Sequence, residues 1–127
     1  MMFETKSKEK IMLEREVYDT ITYCADGKCA IVWVTLDMLK SLNIGEDEIE
    51  GLASIPRQIE GVLIGITMKE KEGGFFKISV RTNGNIDAAK FCSRFGGGGH
   101  KAAAGCSVNG SLEDVRSQLI KAAEETL

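Results

Sequence analysis

The residues of this chain whose types and spacing could do chemistry gather in one stretch, Phe95-Gly96-Gly97-Gly98-Gly99-His100-Lys101-Ala102-Ala103-Ala104-Gly105. Four adjacent glycines are costly in backbone entropy, so a domain that orders them uses either unusual φ angles or backbone amides brought very close to something. Amides exposed ahead of a helix N-terminus form an anion nest, and His100 and Lys101 stand where such a nest gains charge and directional donors. The plainer reading is a flexible turn beside an incidental histidine, and the residues alone leave both open. The spacing is not that of a Walker loop, because neither Ser nor Thr follows Lys101, and it is not a nicotinamide fingerprint. Gly96, Gly97, Gly98, Gly99, His100 and Lys101 are therefore candidates for phosphate binding.

Arg81 is the next candidate. It closes an alternating run in which Phe76, Ile78 and Val80 share one face and Lys77, Ser79 and Arg81 the other. A guanidinium fork there reaches two phosphate oxygens, whereas the bland alternative is a solvated arginine at a strand end. Asn83, Arg94 and Arg57 read as a turn residue and surface charges, and Trp33 as core or interface packing. Hydrolytic machinery is not expected. The single histidine forms no cluster, no carboxylates stand at metal-holding spacing, and nothing local marks Cys92 or Cys106 as a nucleophile activated by His100. No catalytic residue and no cofactor site is expected in this chain.

Positioning these residues requires an ordinary α/β domain. A chain of 127 residues with 43% hydrophobic and 28% charged residues is long enough for one core without metal or disulfide staples. The pattern predicts a helix over 6–18, a strand pair 20–25 and 28–34 joined by a two-residue turn at Asp26-Gly27, and two short helices around Leu36–Leu42 and Glu46–Ala53. It then predicts strands 61–68 and 75–81, a helix 86–95 capped by Asn85, a strand 106–108 and a last amphipathic helix opened by Ser111. The expected architecture is a single domain with a mixed β-sheet, helices packed on it, and a glycine-rich loop leading into a short helix.

Charge narrows the function classes. The net charge of −3 excludes a general duplex-coating protein, which needs a strongly basic surface. From Arg57 to Gly105, however, eight basic residues face four acidic ones, which leaves eight against fifteen elsewhere and suggests one small anion site. No apolar run approaches the roughly 20 residues of a membrane span, so no membrane partner is expected. The four cysteines lack C-x-x-C spacing and read as reduced thiols of a cytoplasmic protein.

Gly97-Gly98-Gly99-His100-x-x-x-Ala104-Gly105, preceded by Ser79-Val80-Arg81 and the helix near 86–95, resembles the DHH-associated domain, the substrate-binding half of DHH-family phosphoesterases. The stretch from Glu46 to Ile66, with Glu48-Ile49-Glu50-Gly51-Leu52 and Ile59-Glu60-Gly61-Val62, is similar to the bacterial oligoribonucleases that also dephosphorylate 3′-phosphoadenosine 5′-phosphate. The resemblance implies a linker helix at 1–19, with Met1-Met2 where an interdomain linker would end, and a nucleic-acid or nucleotide-binding domain at 20–127. It also implies that short RNA or nucleotide phosphates bind at Arg81 and the glycine loop, and that a separate N-terminal DHH domain carrying Mn2+ performs the hydrolysis. This chain has no Asp-His-His segment, so by itself it is expected to be inactive. A homodimer, a stand-alone nucleic-acid-binding or interaction module, and the same domain from a cyclic-dinucleotide phosphodiesterase remain open. Thr82-Asn83 departs from the Ser and basic residue of many oligoribonucleases. His100, where the alanyl-tRNA synthetase branch carries Arg, points away from that branch.

Overall fold

The computed structural model describes residues 5–49 and 51–127, without the side chains of residues 47 and 48. Met1-Met2 and Glu50 lie outside the described residues. Six strands form one mixed sheet: β1 (Thr22–Cys24), β2 (Cys29–Val34), β3 (Ile64–Lys71), β4 (Phe75–Thr82), β5 (Gly98–Gly99) and β6 (Ala103–Asn109). Their spatial order is β1-β2-β3-β4-β6-β5. Only β2 and β3 run parallel, and the long connection between them holds a helix and three 3₁₀ turns.

One face of the sheet is covered along its length. Ile31, Ile64, Ile66, Met68, Phe76, Ile78 and Val80 point to helices α3 (Ala88–Ser93) and α4 (Leu112–Thr126), whose Phe91, Val115 and Leu119 complete the core. Strand alternation produces this face, because every second residue of β3 and β4 is large and apolar. Trp33 packs at its edge with the Arg116 guanidinium 5.0 Å from the ring centroid, so its role is packing. The opposite face is covered only over β2 and β3. There α1 (Lys8–Asp19), α2 (Leu36–Leu42) and the 3₁₀ turns bury Leu13, Val17, Leu39, Leu52 and Ile55 against Val32 and Val34. Ser7 caps α1 by accepting from the Lys10 amide, and Ser111 caps α4 from the Asp114 amide.

Four local expectations are corrected. The β1–β2 turn has four residues, 25–28, because Cys24 and Cys29 close the ladder and Lys28 turns its carbonyl to the amides of Leu63 and Ile64 on the β3 side. The chain after Glu46 breaks into 3₁₀ turns at Glu46–Ile49, Leu52–Ser54 and Pro56–Gln58, divided by left-handed Gly51 and by Pro56, which has no N–H to continue a helix. The cap of α3 is Asp87, whose carboxylate accepts from the Lys90 amide at 3.1 Å, rather than Asn85. The glycine run leads into a strand hairpin, β5–β6, and not into a helix. The amides of His100 and Ala103 bond reciprocally to each other's carbonyls at 2.8 and 3.3 Å, which reverses the chain before a helical turn can form.

Candidate functional site

The uncovered part of the second face is the candidate site. Beyond β3 the sheet continues through β4, β6 and β5 with no α-helix of the described residues over that side, and apart from Phe75 at the start of β4 the side chains there are small or polar: Lys77, Ser79 and Arg81 on β4, and Ala103, Gly105 and Ser107 on β6. The cross-strand pairs are Lys77 with Ser107, Ser79 with Gly105, and Arg81 with Ala103. The result is a shallow floor with cationic side chains along one strand and almost none on its neighbour.

Arg81 is half-buried at the end of β4. One guanidinium nitrogen donates to the Val80 carbonyl at 3.3 Å, and no carboxylate pairs with it among the described residues. An arginine that keeps most of its five donors beside a low, partly desolvated floor is equipped to take a bidentate oxyanion. Its strand partner Ala103 accepts the His100 amide, so β6 connects Arg81 to the far end of the glycine run within one residue pair.

The glycine run is ordered by close backbone approach. Gly98 pairs with Gly105 and Gly99 with Ala104. A Cβ on Gly97 would overlap the Gly105 carbonyl, and one on Gly99 would stand 2.7 Å from the Ala104 Cα, with φ at +150°. No side chain fits at either position. The run is thus a rigid, side-chain-free rim beside the floor, while His100 and Lys101 at its tip are exposed. Gly96 precedes the rim in the left-handed region, where the chain leaves α3.

Thr82, which the sequence did not single out as a site residue, and Arg57 and Asn83, which it read as surface charge and turn residue, shape this site. Thr82 is buried; its hydroxyl donates to the Ile86 carbonyl at 2.8 Å and lies 3.1 Å from the Lys101 carbonyl, while its amide donates to Ala102. It anchors the chain on which Lys101 sits. The signal was legible in principle, since Thr82 continues the apolar register of Phe76, Ile78 and Val80 with a polar side chain. Arg57 comes close through a contact no spacing reveals. The 3₁₀ turn that carries it lies on Gly65, where a Cβ would meet the Arg57 nitrogen at 2.7 Å, and Gly65 is the strand partner of Arg81. Asn83 holds the same corner by donating to the carbonyls of Val62 and Arg57. Arg94 is elsewhere, bound to Glu125 and the Ala122 carbonyl of α4.

Cys92 and Cys106 lie under the rim on the opposite, core-facing side. Hydrogen bonding with Cys106, together with burial, pushes the Cys92 thiol well above its usual range, although the Arg81 charge pulls the other way. The same contact draws the Cys106 thiol below its usual range, but both side chains are buried, so the pair is packing. Among the described residues no three His, Cys, Asp or Glu side chains gather to hold a metal ion.

A model of the DHHA1 domain matches residues 26–127. The chain belongs to the DHHA1 family. A bifunctional oligoribonuclease and PAP phosphatase, NrnA, from Thermus thermophilus is 29% identical over 83 residues, which cover 65% of this chain and 25% of that protein. An exopolyphosphatase-related protein from Bacteroides fragilis superposes with a TM-score of 0.83 at 24% identity, over 95% of this chain and 36% of the other. A pGpG-specific phosphodiesterase, PggH, from Vibrio cholerae gives a TM-score of 0.64 at 14% identity, over 94% and 40%. The C-Ala domain of Aquifex aeolicus alanyl-tRNA synthetase gives 0.54 at 16% identity, over 84% of this chain and 96% of that domain. The last three likenesses establish a shared fold. This DHHA1 chain thus spans about a quarter of the Thermus relative and about two fifths or less of the two longer solved chains. No helix among its described residues is long and apolar enough to cross a membrane.

Proposed function

We propose that this DHHA1 domain is the substrate-holding half of a DHH phosphoesterase of the oligoribonuclease and 3′-phosphoadenosine 5′-phosphate phosphatase kind. The observation that carries the reading is the open half of the sheet, where Arg81, with no carboxylate partner among the described residues, lies one strand away from a side-chain-free glycine rim. Arg81 takes a phosphate through its fork, and His100 and Lys101 at the tip add donors and charge, while the glycine rim contributes close approach and not an amide nest, because the Gly96 and Gly97 amides are given to the Ser93 and Cys92 carbonyls. Lys77 extends the charged strip along β4. The ligand is a short RNA or a nucleotide with more than one phosphate, because a narrow strip offers few contacts and little room for a duplex.

Hydrolysis belongs to a separate, N-terminal, manganese-dependent DHH domain, which would face the open half and close the cleft. The described residues here do not fit a manganese site, since no cluster of hard ligands exists among them. We place the boundary between linker and binding domain near residue 20, and the protein in the cytoplasm.

The test is a titration of the purified chain with fluorescently labelled dinucleotide and trinucleotide RNA and with 3′,5′-bisphosphorylated adenosine, at two salt concentrations. Weak, salt-sensitive binding that Arg81→Ala weakens by about tenfold or more is the expected result. Equal affinities for wild type and variant, with folding verified by circular dichroism, would overturn it.

A further inference from the structure

The four cysteines form two thiol pairs, and only one of them is open to reagents. Cys24 and Cys29 are direct register partners on antiparallel β1 and β2, so their side chains leave the sheet on the same face. Opposed Cα atoms in such ladders are about 4.5 or 5.5 Å apart, and both values lie inside the roughly 4.4–6.8 Å span of disulfides. The turn between them is held tight by three consecutive left-handed residues, Ala25, Asp26 and Gly27, and by amide bonds from Gly27 to Cys24 and from Lys28 to Ala25. Each thiol is the largest single influence on the other's acidity. Cys24 is half-exposed and Cys29 is fully buried.

We propose that Cys24 and Cys29 are a redox-active dithiol, a modification site at the sheet edge that takes a low-molecular-weight disulfide as oxidant and closes into a cross-strand disulfide. The half-exposed Cys24 sulfur attacks one sulfur of the oxidant as a thiolate. The oxidant's S–S bond breaks, a mixed disulfide forms on Cys24, and the first small thiol leaves with the proton that Cys24 lost. The Cys29 sulfur then attacks Cys24 Sγ, and the second small thiol departs with the proton of Cys29. One small disulfide is reduced to two thiols while two protein thiols are oxidised to one disulfide.

The chemistry of the pair suits this division of roles. A hydrogen bond from Cys29 draws the Cys24 thiol below its ordinary range, against the opposing effects of burial and of Glu124, and the same bond, with burial, holds Cys29 protonated. Attack therefore starts at the accessible sulfur. The other pair, Cys92 and Cys106, is an internal control: its thiols are also in contact, but both residues are buried beneath the glycine rim. The dithiol sits at the edge of the sheet remote from the rim, with four strands in order between β1 and β5, so its closure is independent of ligand binding.

The experiment incubates the reduced 127-residue chain with excess oxidised glutathione, blocks the remaining thiols after denaturation, and maps the tryptic peptides by mass spectrometry. Cleavage after Lys28 separates the two cysteines, so the disulfide appears as two joined peptides. The expected result is that species, with Cys92 and Cys106 alkylated. Cys29→Ala should accumulate a glutathione adduct on Cys24, and Cys24→Ala should leave Cys29 reduced. A lasting adduct on Cys24 beside a reduced Cys29 in the wild type, a bond forming first between Cys92 and Cys106, or four reduced thiols in excess oxidant would each overturn the proposal. Should either variant fail to fold, the wild-type map decides by itself.

Discussion

The two halves of one sheet face differ more than the two faces do. Over β2 and β3 the side chains are Val32, Val34 and Thr67, and a helix pair with three 3₁₀ turns seals them from water, so that even Thr67 is buried against the Leu52 carbonyl. Over β4 and β6, a strand away, they are Lys77, Ser79, Arg81, Ala103, Gly105 and Ser107 beyond Phe75 at the strand's start, and no α-helix of the described residues covers them. The boundary is the β3–β4 ladder, where Gly65 stands under the 3₁₀ turn while its partner Arg81 stands at the rim of the floor. The lesson is about composition: apolar burial supplies stability where a cover exists, while small and cationic residues keep the other half soluble and available. Leaving half a sheet face uncovered is economical only if something else visits it.

If that division is right, mutations in the two halves separate stability from affinity. The largest effect belongs to the covered half. Leu13→Ala removes a fully buried side chain between α1 and the sheet and should cost about 2–5 kcal/mol in urea or thermal unfolding, with ligand affinity per folded molecule unchanged. A loss of affinity in the folded fraction would break the comparison. Gly99→Ala tests the seam between the halves. Its Cβ meets the Ala104 backbone, and the strained φ adds to the cost, so about 2–4 kcal/mol of stability should disappear together with ligand binding. A variant as stable as wild type would mean that the rim is not held as described.

Effects on affinity alone come next. Arg81→Ala should lower the binding free energy of a nucleotide phosphate by about 1.5–3 kcal/mol by calorimetry or anisotropy. Its melting temperature should stay close to wild type, since no ion pair is lost among the described residues. Lys77→Ala, exposed and two pairs along the same strand, should cost less than about 1 kcal/mol of affinity and flatten the salt dependence slightly. Should Lys77→Ala exceed Arg81→Ala, the centre of the site lies further along β4 than Arg81.

Local sequence determined a good deal. The alternation Phe76-Lys77-Ile78-Ser79-Val80-Arg81 sorts β4 into a buried and a polar face, because successive side chains leave a strand on opposite sides, and that placed Arg81 and Lys77 together before any tertiary contact was known. Ser111 marked a helix start, since a cap bond acts over a few residues, and the glycine run marked close backbone approach, which the structure places at Gly97 and Gly99. Tertiary structure decided the rest. Whether the glycine run precedes a helix or lies on a strand depended on β6, which pairs Gly98 with Gly105 and Gly99 with Ala104, and such pairing energy is invisible in a glycine's own propensity. The seating of the Arg57 turn on Gly65, the strand partner of Arg81, is likewise tertiary, and the four cysteines, without any motif spacing, become two thiol pairs only through strand register and the packing of α3 on β6. Periodicity says which face a residue occupies. Which other residue shares that face is set by long-range pairing and packing, whose partners no local window contains.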